Sequence, residues 1–385
     1  MKRKLSWLVS LSFLMIMGMG STPVLAKDVY KIGCLFAITG SASWLGEPER
    51  NTAEMIVKEI NDAGGINGRK LKLYIEDTQG DNTRAVNAVK KLIKKNKVCA
   101  IIGPSRSGTS MAVIPIVQTE NIPLISCAGA EVIVAPVAER KWVFKTPQKD
   151  SDCVKRIYDH MVAKGIKDIA IISGTTGFGN AGRAQLKTIA AEYGLNIVAD
   201  ETYSPADTDM TAQLVKIRNS GAKALVNWSI VPAQSIVPKN MRQLKFDIPL
   251  YQSHGFGNHK YVEAAGDAAE GIIFPGGRLL CVDSLSADHP QKAVLTAYRD
   301  AYEAKFNDKV STFGGHAYDS LWLIANALKT VKSDDPAKIR DYLETSSLVG
   351  TGGVFNFSPQ DHNGLDKSAF EMITVKNGEF VVLQD

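Results

Sequence analysis

The 385-residue chain lacks the spacings that build metal centres and disulfide frameworks. Its five cysteines, Cys34, Cys99, Cys127, Cys153 and Cys281, are odd in number, widely scattered and contain no C-x-x-C pair. Such cysteines read mostly as buried thiols, and Cys34 and Cys99 fall inside apolar strands where cysteine packs as a small hydrophobe. Of the six histidines, His254 and His259 stand closest together, but no H-E-x-x-H pattern occurs, so neither a metal nor another cofactor is expected. No basic block or aromatic-interleaved patch is present, which excludes nucleic acid as a partner. No second apolar run after the first twenty residues is long enough to cross a membrane.

What is present begins with Lys2, Arg3 and Lys4, an apolar run from Leu5 to Gly20, and Ser21-Thr-Pro-Val-Leu-Ala26 before Lys27-Asp28. This pattern reads as a signal peptide, residues 1–26, cleaved after Ala26, and predicts a periplasmic product. No cysteine follows the cut directly, so lipid anchoring is not indicated. The leader carries three basic residues and no acid, and its loss lowers the formal net charge from +5 to +2. A near-neutral mature chain of this length has room for about two domains.

Strand and helix patterns alternate through those domains. Val29–Ile38 reads as a strand, Glu47–Ala63 as a helix closed by Gly64-Gly65, Leu71–Ile75 as a strand, Asp81–Lys95 as an amphipathic helix and Val98–Ile102 as a buried strand. After Pro123–Ser126 and Trp142–Thr146, a second set runs from helix Asp150–Ala163 through strand Ala222–Trp228. The predicted fold class is α/β: two doubly wound parallel-sheet lobes with a ligand cleft between them, at the carboxyl ends of the strands. The first lobe is expected over 27–147 plus 276–350, the second over 148–275 plus 351–385.

The segment Val98–Ser110, VCAIIGPSRSGTS, joins a strand to a helix through a Gly-Pro turn and hydroxyl-bearing residues. A helix start leaves amides unpaired and carries partial positive charge, so a carboxylate can sit there, with Ser107 adding a hydroxyl; alternatively Ser107 only caps the helix. The loop Cys127-Ala-Gly-Ala130 follows the next strand. Trp44, Phe178 and Trp228 each fall at a strand end, where an aromatic ring either contacts a ligand or packs in the core.

Two motifs are declined. Gly177-Phe-Gly-Asn-Ala-Gly182 matches G-x-G-x-x-G, with Asp200 and Glu201 where a ribose-binding acid would fall, but Gly174-Thr-Thr lengthens a turn that dinucleotide binding needs tight. Gly103-Pro-Ser-Arg-Ser107 begins like a nucleophile elbow and ends in serine, with no histidine and acid tied to it by spacing. No catalytic residues are assigned, and an enzyme is not expected.

Several segments together resemble the periplasmic branched-chain amino-acid-binding proteins, the Leu/Ile/Val-binding type I periplasmic family. They are Lys31-Ile-Gly33 with Thr39-Gly40, Ile60–Arg69, Glu76-Asp77-Thr78, Ile102-Gly103-Pro104, Pro123–Ser126, Gly177-Phe-Gly179 and Ala265–Gly271, in shared order across the chain. The resemblance implies a hinged, monomeric capture protein of an ABC importer, partnered by a membrane permease and its ATPases. It also implies that Ser107 and the loop Ala128, Gly129, Ala130 hold the ligand carboxylate, that Phe178 lies against the ligand, and that Trp44 and Leu45 line its side-chain pocket. Departures stand at Phe178, where tyrosine is common, at Ala130, where threonine is common, and at His254, where an acid receives the ligand ammonium. Without that acid the ligand is either a branched-chain amino acid or a related small carboxylate, such as an aromatic or aliphatic acid with no cationic end. Ligand sensing for a signalling partner would use the same cleft.

Overall fold

A computed structural model describes residues 29–384; the signal-peptide segment, 1–26, lies outside them. The first lobe is built on β1 (Tyr30–Phe36), α1 (Ser43–Asp62), β2 (Leu71–Asp77), α2 (Asn82–Lys91), β3 (Ala100–Ile102), α3 (Ser107–Glu120), β4 (Leu124–Ser126) and β5 (Val143–Lys145). The strands run parallel in the order β2-β1-β3-β4-β5. Buried aliphatic runs such as Ala100–Ile102 suit strands covered by helices on both faces. The Asp81 carboxylate accepts the Arg84 amide at 2.8 Å and starts α2, and Gly64 and Gly65 supply the positive φ that ends α1. The expected helix Asp81–Lys95 ends its regular part at Lys91 and continues as a π-helical turn over Leu92–Asn96.

The second lobe contains α4 (Asp150–Ala163), β6 (Asp168–Gly174), α5 (Gly177–Ala190), β7 (Asn196–Tyr203), α6 (Thr211–Asn219), β8 (Ala224–Trp228), α7 (Ile236–Gln243), β9 (Leu250–Gln252), α8 (His259–Ala265) and β10 (Ile273–Gly277). After β10 the chain forms α9 (Lys292–Phe306), α10 (Thr312–Val331), α11 (Pro336–Leu343) and a hairpin of β11 (Ser347–Val349) and β12 (Val354–Asn356). It closes with β13 (Phe370–Lys376) and β14 (Glu379–Val382), which join antiparallel at the edge of the second sheet, giving β14-β13-β10-β9-β8-β6-β7.

Helices α9 and α10 return to the first lobe. Tyr298, Leu321 and Ile324 pack with Ile32 and Ile56, and the Thr52 and Tyr298 hydroxyls lie 2.7 Å apart. The last crossing between lobes comes later than the expected boundary at residue 351. Phe355, Phe357, Leu365 and Ala369 are buried in the first lobe's core, and only from Phe370 does the chain pair with β10. Apolar burial explains the difference, because these four side chains complete the cluster around Phe144 and Leu279. Pro275-Gly-Gly277, a sequence that would suit a turn, is the end of β10 and pairs with Phe370–Met372.

All five cysteines are buried and free. Among the described residues no helix is long and apolar enough to cross a membrane, and no group of three His, Cys, Asp or Glu could hold a metal ion.

Candidate functional site

The carboxyl ends of β3, β4, β6 and β8 meet between the lobes, and two helix starts face each other there. Ser107 is the first residue of α3, following Arg106 in extended conformation, and no side chain caps this helix. The capping alternative for Ser107 therefore does not describe its place. Its Oγ instead accepts the amide of Ala130 at 3.3 Å, while the residue is 2% exposed. With a lone pair so engaged, the hydroxyl proton of Ser107 is free to donate into the cleft. Opposite, Thr176 caps α5 by accepting the Gly179 amide at 3.1 Å.

Three elements define the loop after β4. Ala128 donates its amide to Ser126 Oγ at 3.2 Å, and Ala130 donates to Ser107. The resemblance assigned the ligand to the backbone of 128–130, but those two amides are already satisfied inside the first lobe, and Gly129 keeps the amide without a protein partner among the described residues. Gly129 also stands directly against the second lobe: a β-carbon there would lie 2.6 Å from His254 Nε2 and 2.9 Å from the Phe178 ring.

Phe178, His254 and Trp228 form one aromatic cluster on the second lobe. Phe178 lies edge-on to His254 with centroids 5.2 Å apart and 5.6 Å from Trp228; Trp228 and His254 are 5.9 Å apart, and Phe370 adds a fourth ring 5.6 Å from His254. His254 is 7% exposed, and neither ring nitrogen has a hydrogen-bond partner among the described residues. Burial first, then the positive charge of Lys145 and the proximity of His316, push its pKa well below the usual histidine range. The imidazole is therefore neutral, with one donor and one acceptor. Trp228 is fully buried, its ring 5.6 Å from Phe178 and against Gly182, and its Nε1 has no hydrogen-bond partner among the described residues.

Trp44 and Leu45 lie in the first turn of α1 rather than in a loop. The Trp44 ring meets Tyr261 edge-on at 5.2 Å, and its carbonyl accepts Asn258 Nδ2 at 2.9 Å. Leu45 is fully buried in the apolar cluster of the second lobe, so both side chains cross the gap between lobes. Lys260 of α8 reaches Glu47 at 3.6 Å on the same side.

Beside Ser107 a cavity of 290 Å³ is bounded by Asp81, Arg106, Gly108 and Thr109 of the first lobe and by Thr175, Gly177 and Phe178 of the second. It is near the lower end of small-ligand site sizes. Asp81 is its acid, and one carboxylate oxygen is engaged with Arg84. Arg106 has no ion-pair partner among the described residues, and burial lowers its pKa. Two helix starts and the Arg106 guanidinium make this a surface for anions, while Gly129 and His254 do not line it and meet each other deeper between the lobes.

The declined dinucleotide motif is explained glycine by glycine. A β-carbon on Gly177 would meet the Gly108 amide across the cleft at 2.7 Å, one on Gly179 the Gly174 carbonyl at 1.7 Å, and one on Gly182 the Trp228 ring at 2.0 Å. Asp200 is taken by Arg183 at 2.6 Å and Lys187 at 3.0 Å, and Glu201 by Lys216 at 3.1 Å.

Sequence reasoning missed two buried charges beneath the loop. Lys145 is fully buried at the end of β5, and Asp150 at the start of α4 accepts the Glu131 amide at 3.0 Å. The available signal was a lysine closing the apolar strand Val143-Phe144.

The fold and cleft define a two-lobed solute-binding protein. The chain belongs to the family described as periplasmic binding protein, whose profile matches residues 29–379. A leucine-, isoleucine-, valine-, threonine- and alanine-binding protein of Pseudomonas aeruginosa is 24% identical over 350 residues, covering 90% of this chain and 91% of that protein. An extracellular ligand-binding receptor from Rhodopseudomonas palustris HaA2 superposes with a TM-score of 0.87 at 28% identity, covering 93% of this chain and all of its own. The branched-chain amino acid transporter substrate-binding protein LivJ of Streptococcus pneumoniae, solved with isoleucine, gives 0.81 at 28% identity over the same shares.

Proposed function

We propose that this chain is the periplasmic capture component of an ABC importer, and that its lobes close around a small organic acid whose far end is not cationic. The observation that carries this reading is His254. A neutral, nine-tenths-buried imidazole stands where the resembling family places the acid that receives an ammonium group. Burying a cation without a counter-charge costs several kcal/mol, roughly a thousandfold in affinity, and the aromatic cluster around His254 offers apolar contact in its place. The carboxylate is met by the first-turn amides of α3, the Ser107 hydroxyl and the Gly129 amide. Closure by hinge motion then presents one shape to a permease.

A second reading keeps a branched-chain amino acid as ligand. The names of the P. aeruginosa relative and the isoleucine-bound pneumococcal structure favour it, and Asp81 is the acid on the cavity wall that could receive the ammonium.

A melting-temperature panel separates them. Benzoate, 4-hydroxybenzoate, hexanoate, L-leucine and L-phenylalanine are tested at equal concentration; a ligand at a hundred times its Kd adds about 2.7 kcal/mol of stability. The organic-acid reading expects shifts from acids without an amino group. A response confined to the two α-amino acids overturns it in favour of the second reading.

A further inference from the structure

The Gly129–Ala130 peptide group is held at both ends. Its carbonyl accepts from Lys145 Nζ at 2.9 Å, and its N–H donates to Ser107 Oγ at 3.3 Å. Lys145 itself is fully buried. Its ammonium makes one further bond, to the Gln148 carbonyl at 3.0 Å, in the segment that crosses from the first lobe to the second. Its own backbone is fixed on both sides, by the His362 carbonyl at 3.1 Å and the Asn363 side chain at 3.2 Å. Packing alone does not account for a lysine here, because a buried ammonium costs stability that an apolar side chain of the same length would not.

We propose that Lys145 is a positioning residue for anion capture: its positive charge reaches the bound carboxylate through the Gly129 carbonyl, the Ala130 amide and the Ser107 hydroxyl, without touching the ligand. This rests on the reading that Ser107 holds a carboxylate. The physical basis is polarisation along a hydrogen-bonded chain. A cation on the carbonyl makes the N–H of the same peptide a stronger donor, and a hydroxyl that accepts such a bond donates its own proton more strongly. In a cleft of low dielectric the ammonium also attracts the carboxylate directly through space. The helix tip and Ser107 thereby feel the field of a buried cation in addition to that of Arg106 on the cavity wall.

The groups facing Lys145 are Asp150 and Asp152 of α4, Glu131 and Lys149 in the adjoining loops, His254 from the second lobe and His316 from α10. Burial lowers the Lys145 pKa to about 8 and raises that of Asp150 to about 6; both imidazoles are held neutral by burial. The sign follows. A bound anion favours the charged ammonium, so binding takes up a proton above pH 8, and affinity falls by roughly tenfold per pH unit there until the pKa of the complex is reached.

The test uses the full mature chain and, as probe, the member of the five-compound panel that raises the melting temperature most. Isothermal titration from pH 6.5 to 10 in two buffers of different ionisation enthalpy reads affinity and proton uptake for the wild type, Lys145→Met and Lys145→Arg. The expected result is at least tenfold weaker binding at pH 7 for Lys145→Met, no alkaline decline in that variant, and a decline moved beyond pH 10 in Lys145→Arg. Proton uptake by the wild type above pH 8 carries the proposal even if Lys145→Met does not fold. Equal affinities and superimposable pH profiles for wild type and Lys145→Met, or no proton uptake by the wild type, overturn it while leaving the capture function standing. If no panel member binds, the organic-acid reading and this proposal fall together.

Discussion

Gly129 of the first lobe and His254 of the second approach so closely that a β-carbon on Gly129 would stand 2.6 Å from the imidazole Nε2. Its φ is not positive, so alanine suits the backbone itself, and every atom that a β-carbon would crowd belongs to His254 or Phe178 of the second lobe. Gly129→Ala is therefore expected to weaken ligand binding by tenfold or more while leaving the ligand-free melting temperature within about 2 °C, because the added methyl meets only the opposite lobe and opposes its approach rather than the folding of either lobe. Titration calorimetry beside a thermal scan measures both. Adding His254→Ala should restore part of the affinity; a double variant no better than the single one would place the obstacle elsewhere.

Ser107→Ala removes a hydroxyl that donates to an anion. Hydrogen bonds to charged groups are worth about 1.5 to 3 kcal/mol, so the variant should bind roughly ten- to a hundredfold more weakly. It also leaves the Ala130 amide without its acceptor, so Ser107→Thr, which keeps the oxygen, is the control. Affinity of the serine, threonine and alanine forms for one carboxylate, measured side by side, should follow the hydroxyl. An alanine form that binds as well as wild type would show that the helix amides suffice.

Much of this site was legible because it follows from strand ends and helix starts. Ser107 and Phe178 lie on opposite sides of the cleft for the same reason that parallel sheets gather ligands at their carboxyl edges. Helix α4 spans the residues expected, Asp150–Ala163, because its apolar periodicity is long and uninterrupted. What could not be read were relationships created by the crossings. Ala130 and Ser107 satisfy each other across 23 residues, which transfers the free amide to Gly129. Lys145 at the end of β5 and Asp150 at the start of α4 look like surface charges until the tertiary fold buries both. Phe355 and Phe357 belong to the first lobe because that core has room for them, a matter of volume that local pattern does not carry.

His254→Glu tests the missing counter-charge directly. A carboxylate there gives an ammonium a partner, so α-amino acids should gain affinity and acids lacking an amino group should lose it, each by tenfold or more. The readout is the ratio of Kd values for L-leucine and benzoate in variant and wild type. An unchanged ratio would mean that the imidazole does not face the ligand.

The buried histidines also set how the fold responds to acid. His316 is pushed down to about pKa 3 by burial and by the charge of Lys145, and one of its ring nitrogens has no partner among the described residues. Unfolding exposes the ring and restores a value near 6.5, so between about pH 6.5 and pH 3 the unfolded chain binds a proton that the folded chain refuses. Stability therefore falls as pH drops through that window, by at most about 1.4 kcal/mol per unit for this group. Asp319 acts in the opposite sense. Burial raises its pKa to about 7 despite amide bonds from Thr351 at 2.6 Å and Gly352 at 2.7 Å, so the folded state retains its proton and gains stability as pH falls from about 7 towards 4. Urea unfolding of wild type and His316→Leu at pH 7, 5.5 and 4.5 isolates the histidine contribution. The stability of the variant relative to wild type should rise steadily towards acid; parallel curves across the three pH values would show that His316 takes up its proton in the folded state.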